Sequence, residues 1–468
     1  MRIILLLLIF SGLNNISLVA QKIAIRDVTV ISMEDSNPLK HKTVLIHDGL
    51  IYKIDNTQTA VIPSGYEVIN GSGKYLLPGF FDMHAHFFNE QGELKNTCET
   101  ELKLMLANGL THVRILAGHP NYLQSRRNVL EGKWIGPELS VASPQLVGRW
   151  PWPADFKNFE IADSPQKAEE AVKNFKEQGY DAIKITFMVK REVYDAIIKA
   201  AEKHQMKVVG HVGPMVKLPA ALKAGQQIEH MDEFIDMLLP DTSYNHGQSV
   251  SDMNIWRKPA WSTVPYLDQK KIPALAKAVK ESGVYVTPTN YFFLSTFGEI
   301  ASEASIRQKP DYAYIPSALK EERWKNREHF IKLGIPDTAL QRYREIRLKM
   351  VYELWKAGVP LMAGSDSPEF FLVTGFSIHD ELAVMVKAGL PPFEALKTAT
   401  VNPARYLGFE KTKGKVRQGM KADLVLLDAD PLESISNTRK INAVFRKGVY
   451  YNRMALDQLL KEALILGN

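Results

Sequence analysis

Two histidines one residue apart, His84 and His86, close the run Leu76-Leu77-Pro78-Gly79-Phe80-Phe81-Asp82-Met83-His84-Ala85-His86. Along a strand, residues i and i+2 leave the same face, so this spacing aims both imidazoles at one point. Two converging imidazoles suit a divalent transition metal such as zinc better than they suit an apolar core. Further along the chain His211, His230 and Asp366 offer more nitrogen and oxygen ligands, each at the end of an apolar, strand-like run. Lys184 stands in the run Tyr180-Asp181-Ala182-Ile183-Lys184-Ile185-Thr186, where a bare ammonium is costly to bury. Burial favours the neutral, nucleophilic amine. Its addition to carbon dioxide gives a carbamate, an anionic two-oxygen ligand able to bridge two cations.

These residues need a frame. Strand-like stretches recur at 79–84, 111–116, 138–142, 181–186, 207–211, 227–230, 284–288 and 359–365, with amphipathic runs such as 164–178 and 190–204 between most of them. In the first of those runs Ser164 is placed to cap a helix and Pro165 to open its first turn, and Gly225 and Gly283 stand where helices should stop. Eight strands with crossover helices imply a (β/α)8 TIM barrel, whose working residues sit at the carboxyl ends of the strands. The span between His230 and Asp366 is too long for two ordinary strand–helix units, so an insertion rich in aromatic and charged residues is expected over the mouth. Alternating, β-branched segments flank this middle: 23–30, 43–47 and 50–54, with an Asp48-Gly49 hairpin signal, and 422–428, 443–445 and 449–450 near the other end. The two ends are expected to pair into one small β-sandwich. The predicted organisation is a leader over 1–20, sandwich parts over 21–76 and 407–468, and a hydrolase barrel over 77–406.

Composition narrows the classes. The chain has 468 residues, 45% hydrophobic and 24% charged, which is ordinary for globular domains and argues against disorder. The formal charge of +6 is small for this length, and its lysines and arginines are scattered, so no nucleic-acid partner is expected. The cluster from Lys320 to Arg327 mixes glutamates with its cations and reads as a solvated helix face. Arg2 precedes the apolar run Ile3–Phe10, with small and polar residues up to Ala20-Gln21. That run is too short to span a bilayer and has the shape of a cleaved export signal, so the expectation is an exported, periplasmic or secreted protein without a stable membrane anchor. Cys98 is the only cysteine. It allows no intrachain disulfide and reads as a structural residue.

The whole pattern resembles the metal-dependent amidohydrolase superfamily. The resemblance runs through the segment from Pro78 to His86, then Lys184, His211, Glu229-His230 and Gly364-Ser365-Asp366. It continues in Glu394-Ala395-Leu396 to Asn402-Pro403-Ala404 and in Gly414-Lys415-Val416 to Leu424, and so covers the chain after the leader. The bridging lysine and Glu229-His230 are similar to the branch of imidazolonepropionase-like enzymes and Xaa-Pro or other dipeptidases. The resemblance implies two divalent metal ions, most often Zn2+. His84, His86 and Asp366 would hold the buried ion, His211 and His230 the outer one, and Lys184 as carbamate would bridge them with a hydroxide. Asp366 would be the catalytic proton shuttle in hydrolysis of a C–N bond. The implied substrate is a small-molecule amide, a dipeptide or N-acyl amino acid. The alternatives are a cyclic amide, a deamination, or binding without catalysis. Homo-oligomerisation stays open.

Arg114, His119 and Tyr291, with His112, are further polar candidates near strand ends, the first three for contacting substrate. Relatives with peptide-like substrates often carry Arg-Asp at the place of Arg114, but here Ile115 follows. Asp82 is expected to be a barrel-floor hydrogen-bond residue, and His379 to begin a helix without a catalytic part. Trp256, Trp261, Phe292 and Phe293 in the covering insertion are expected to pack, or to favour a lipid-like or aromatic amide.

Overall fold

The computed structural model describes residues 21–88, 97–149, 159–240, 250, 254–298 and 301–466. The expected leader lies outside them. Among the described residues no helix is long and apolar enough to cross a membrane.

The first five strands are β1 (Ile23–Val30), β2 (Leu39–His47), β3 (Leu50–Asn56), β4 (Glu67–Asn70) and β5 (Tyr75–Pro78). Asp48 and Gly49 join β2 to β3 with φ of 52° and 73°, the pair of left-handed residues that a two-residue type I′ hairpin demands.

A parallel set follows. Its members are β6 (Phe80–Ala85), β7 (Leu110–Ile115), β8 (Glu138–Val141), β9 (Gln145–Val147), β10 (Phe159–Ile161), β11 (Ala182–Ile185), β12 (Lys207–Gly210), β13 (Gln227–Glu229) and β14 (Val286–Thr287). They form one sheet in the order β6-β7-β8 and another in the order β10-β9-β11-β12-β13-β14. Single parallel bridges tie Ala142 to Ala182, Val286 to Leu361 and Ala85 to Ser367. Parallel strands with helices between them make this a TIM-barrel-type fold. Segment 359–365 is not a regular strand, yet it bonds on both sides. Met362 N–H donates to Val286 O at 2.9 Å, and Ala363 O accepts from Met83 N–H at 2.9 Å. Pro360 supplies no N–H to either neighbour, which interrupts the ladder. As its sequence implies, Ser164 caps helix Pro165–Gln178, accepting from Lys167 N–H at 3.3 Å.

The chain returns as β15 (Leu424–Leu427), β16 (Ile441–Arg446) and β17 (Val449–Tyr451). Both ends meet in one eight-stranded sheet, β17-β16-β15-β5-β1-β2-β3 with β4 beside β1. On β15, Leu424 and Leu426 enter a core with Ile23, Ile25, Val44 and Phe445, while Val425 and Leu427 join the core under the barrel. A strand buried on both faces reads as a continuous apolar run rather than an alternating one.

A buried ionic cluster also joins the sheet to the barrel. Lys413 Nζ lies 2.9 Å from Glu138 on β8 and 3.4 Å from Asp423, and Arg446 Nη1 lies 2.9 Å from Asp423. Burial opposes ionisation of both carboxyls, but the adjacent cations outweigh it, and Glu138 and Asp423 each come down to about 2. Unfolded, these carboxyls titrate near ~4.3 and ~3.9. Their contribution to stability is therefore complete above that range and is lost as pH falls through about 2. Lys413→Met is expected to cost about 3–5 kcal/mol at neutral pH by leaving buried carboxylates undercompensated. That cost should shrink on acidification, as the parent loses the same contribution. Urea midpoints for parent and variant at neutral pH and at about pH 2.5 check this; a pH-independent difference contradicts it.

Candidate functional site

Lys184 on β11, the residues after β12, β13 and segment 359–365, and the end of β6 all face one opening. His84, His86, Lys184, His211, His230 and Asp366 together line a single cavity of about 350 Å3, and all six are buried. The β strands deliver them from positions up to 282 residues apart because every parallel strand ends on the same side.

Within the cavity Asp366 Oδ1 lies 3.3 Å from His84 Nε2 and 3.2 Å from His86 Nε2, and Asp366 Oδ2 lies 3.6 Å from His230 Nδ1. Ligand atoms of His84, His86 and Asp366 all fall within 4.8 Å of one another. The rings of His84 and His230 are 4.5 Å apart between centroids, and those of His211 and His230 are 4.4 Å apart and nearly stacked. Burial, then the neighbouring His230 and Lys184, holds His84 well below the usual imidazole range; burial, then His211 and Lys184, does the same for His230. Neutral imidazoles keep a lone pair for a metal.

Glu229 sets the orientation. It is fully buried, with Oε2 accepting from His84 Nδ1 at 2.7 Å and Oε1 accepting from Arg114 Nη2 at 2.6 Å. Burial raises its carboxyl above the ordinary range, and Arg114 and Lys184 act in the opposite sense. With Nδ1–H donating to Glu229, the His84 Nε2 lone pair faces Asp366 and His86. Below, Asp82 accepts from the backbone N–H of His84 and Ser365 at 3.1 and 3.0 Å and from Ser365 Oγ. Burial lifts its carboxyl to about 6 despite those bonds, which fits a floor residue. At the outer edge Arg347 donates to Asn290 Oδ1, His230 O and Pro288 O at 2.8–3.1 Å, clamping the ends of β13 and β14. His230, Thr289 and Asp366 have φ of 66°, 44° and 56°. Left-handed backbone at non-glycine residues is unfavourable, and its concentration at these strand ends marks a site held in shape by its surroundings.

None of the three expected substrate contacts lines this cavity. Arg114 is 2% exposed and lies under the imidazoles, also donating to Met83 O and Gln227 Oε1 at 2.7 Å each. His119 caps helix Pro120–Leu130, accepting from Asn121 N–H at 3.2 Å. Tyr291 accepts from Lys309 Nζ and faces a separate apolar chamber. The residues that do line the outer wall are Gln145, Phe187, Trp256, Asn326, His329 and Phe370. Trp256 and Phe292 line it as the aromatic reading of the insertion implied, whereas Trp261 and Phe293 are core. Asn326 and His329 come from helix Ser317–Lys332, which leaves Glu321, Glu322 and Lys325 exposed on a solvated face and buries Arg323. No spacing in the sequence marks which side of that helix meets the barrel. Burial pushes the Cys98 thiol up to about 12, as a structural cysteine requires.

Comparisons with known proteins bear on family and fold. The Amidohydrolase family profile matches residues 75–450. Ochratoxinase from Aspergillus niger is 23% identical over 88% of this chain and 82% of its own length. The solved structure of a bottromycin amidohydrolase superposes with a TM-score of 0.72 at 22% identity, covering 96% of this chain and 91% of the other. A Xaa-Pro dipeptidase with bound methionine gives 0.64 at 18% identity, covering 92% and 100%.

If Glu229 orients His84, Glu229→Gln should weaken zinc binding by roughly 10–100-fold and also destabilise the fold, since Arg114 loses its buried counter-charge. Zinc titration of the folded variant against the parent measures this. Unchanged affinity contradicts the orienting role.

Proposed function

Because the chain belongs to the amidohydrolase family, we propose that this cavity hydrolyses the amide bond of a small molecule, a dipeptide or N-acyl amino acid, with two divalent cations, zinc foremost. Membership makes the chain a hydrolase of carbon–nitrogen bonds. The observation that carries the finer reading is the approach of His84, His86 and Asp366 ligand atoms within 4.8 Å in a buried cavity.

The donor set fits such ions. Neutral imidazoles and a carboxylate are the ordinary ligands of zinc. His84, His86 and Asp366 would hold the deeper ion and His211 and His230 the outer one. Lys184, 1% exposed on the same cavity, would serve between them as a carbamate: the neutral amine adds to the carbon of CO2 and gives up one proton, so an uncharged buried group becomes an anion. The strands would form a closed (β/α)8 barrel, in keeping with the backbone hydrogen bonds on both sides of segment 359–365. When bound, the cations lower the pKa of a shared water toward neutrality and polarise the carbonyl.

The chain's own groups do the rest. Asp366 takes the proton from the attacking water and delivers it to the departing nitrogen. Glu229 and Arg114 hold His84 through that transfer, and Asp82 holds the backbone beneath. Trp256, Phe292 and Phe370 wall the cavity and keep bulk water from the reacting carbonyl. We place the activity outside the cytoplasm, in keeping with the apolar leader pattern of the first 20 residues.

A panel of dipeptides and N-acyl amino acids, assayed with added zinc, tests the reading. The parent is expected to turn over members of the panel, and Asp366→Asn to lower kcat by about 10²–10⁴-fold. Equal turnover by parent and variant would remove Asp366 from the chemistry.

A further inference from the structure

Beside the metal-ligand cavity lies a second, more enclosed chamber. Its walls include Tyr291, Thr296, Ile306, Phe330 and Phe371, with Phe370 shared between the two spaces. Phe370 is therefore a partition. Its ring stacks on Trp256 at 5.0 Å and 14° on the cavity side and meets Phe292 at 5.7 Å. Its backbone is left-handed, with φ of 47°, only four residues after Asp366 in sequence.

The chamber also has cations at its rim, but these are engaged. Lys309 Nζ donates to the Tyr291 hydroxyl, and Arg327 Nη2 donates to Ala301 O while its guanidinium lies over the Trp324 ring at 5.6 Å. What remains inside is mostly aromatic and aliphatic surface, with the hydroxyls of Ser295 and Thr296. Apolar cavities of this kind stay dry and take apolar groups. The closed chamber measures about 50 Å3, against the roughly 150 Å3 that accepts a benzene ring. A ring enters only if Phe370 swings aside and lends its own volume.

We propose that this chamber is a specificity subsite that receives an uncharged apolar substituent of the substrate, admitted past Phe370. The substituent runs from the scissile amide over Trp256 and Phe292, and its end displaces Phe370 and packs on Ile306 and Phe330. The preferred substrate is then an amide carrying a phenyl or branched alkyl group. This rests on the amide reading of the neighbouring cavity, so the test separates binding from turnover.

Metal-stripped protein is titrated calorimetrically with 4-phenylbutyramide and with butyramide. The parent is expected to bind the phenyl compound at least ~10-fold more tightly, as burial of one ring implies. Ile306→Trp, and Thr296→Trp from another wall, fill the chamber without touching the metal ligands; each is expected to abolish that preference. With zinc restored, the ratio of kcat/KM for N-(4-phenylbutyryl)glycine over N-acetylglycine should fall by a similar factor. A parent that binds both amides equally overturns the subsite before any variant is made, and a preference that survives in either folded variant also overturns it. Selective binding without turnover of any amide would instead sink the proposed reaction and leave the subsite standing.

Discussion

A carboxylate with no access to water, Glu229, holds the site together. One oxygen meets Arg114 at 2.6 Å and the other meets His84 at 2.7 Å. Three ionisable groups buried this deeply are costly unless each satisfies the others, and here each does. Arg114 starts on β7 and reaches both Met83 O on β6 and Gln227 on β13. The guanidinium thus fixes the spacing of three strands, and through Glu229 it fixes the rotation of the His84 ring. The lone pair of that ring then faces Asp366, and the other imidazoles gather around the same point.

Such a centre is unfavourable on its own. It concentrates neutral imidazoles, a lysine and a carboxylate among buried side chains, and it holds His230, Thr289 and Asp366 in left-handed backbone. The compensation comes from regions that do no chemistry. Apolar strands such as β15 are buried on both faces, Arg347 clamps the strand ends, and the cluster around Lys413 locks the eight-stranded sheet under the barrel. Stability resides at the amino-terminal side and reactivity at the carboxyl side, as TIM-barrel-type folds arrange them.

Much of the site was legible because its signals are local. The i, i+2 spacing of His84 and His86, and the apolar runs ending at His211, His230 and Asp366, need only a strand's period to interpret. Asp48-Gly49 dictates its own turn. Other features depend on partners far along the chain. Arg114 reads as a substrate contact near a strand end until Glu229, 115 residues away, is placed beside it. Helix Ser317–Lys332 is polar nearly all round, so its cavity-facing Asn326 and His329 carry no periodic mark. Strands β9 and β10 are three residues long, too short for alternation to register. That the two ends of the chain pair was legible in their shared alternating, β-branched character, whereas the register of β15 on β5 is revealed by no single segment.

Elemental analysis of the purified full-length protein, equilibrated with zinc and freed of excess metal, tests the central claim most directly. The account predicts about two metal equivalents per chain, retained through gel filtration. A folded protein that retains none would contradict it, because buried imidazoles aimed at one carboxylate would then have been gathered for something other than a cation.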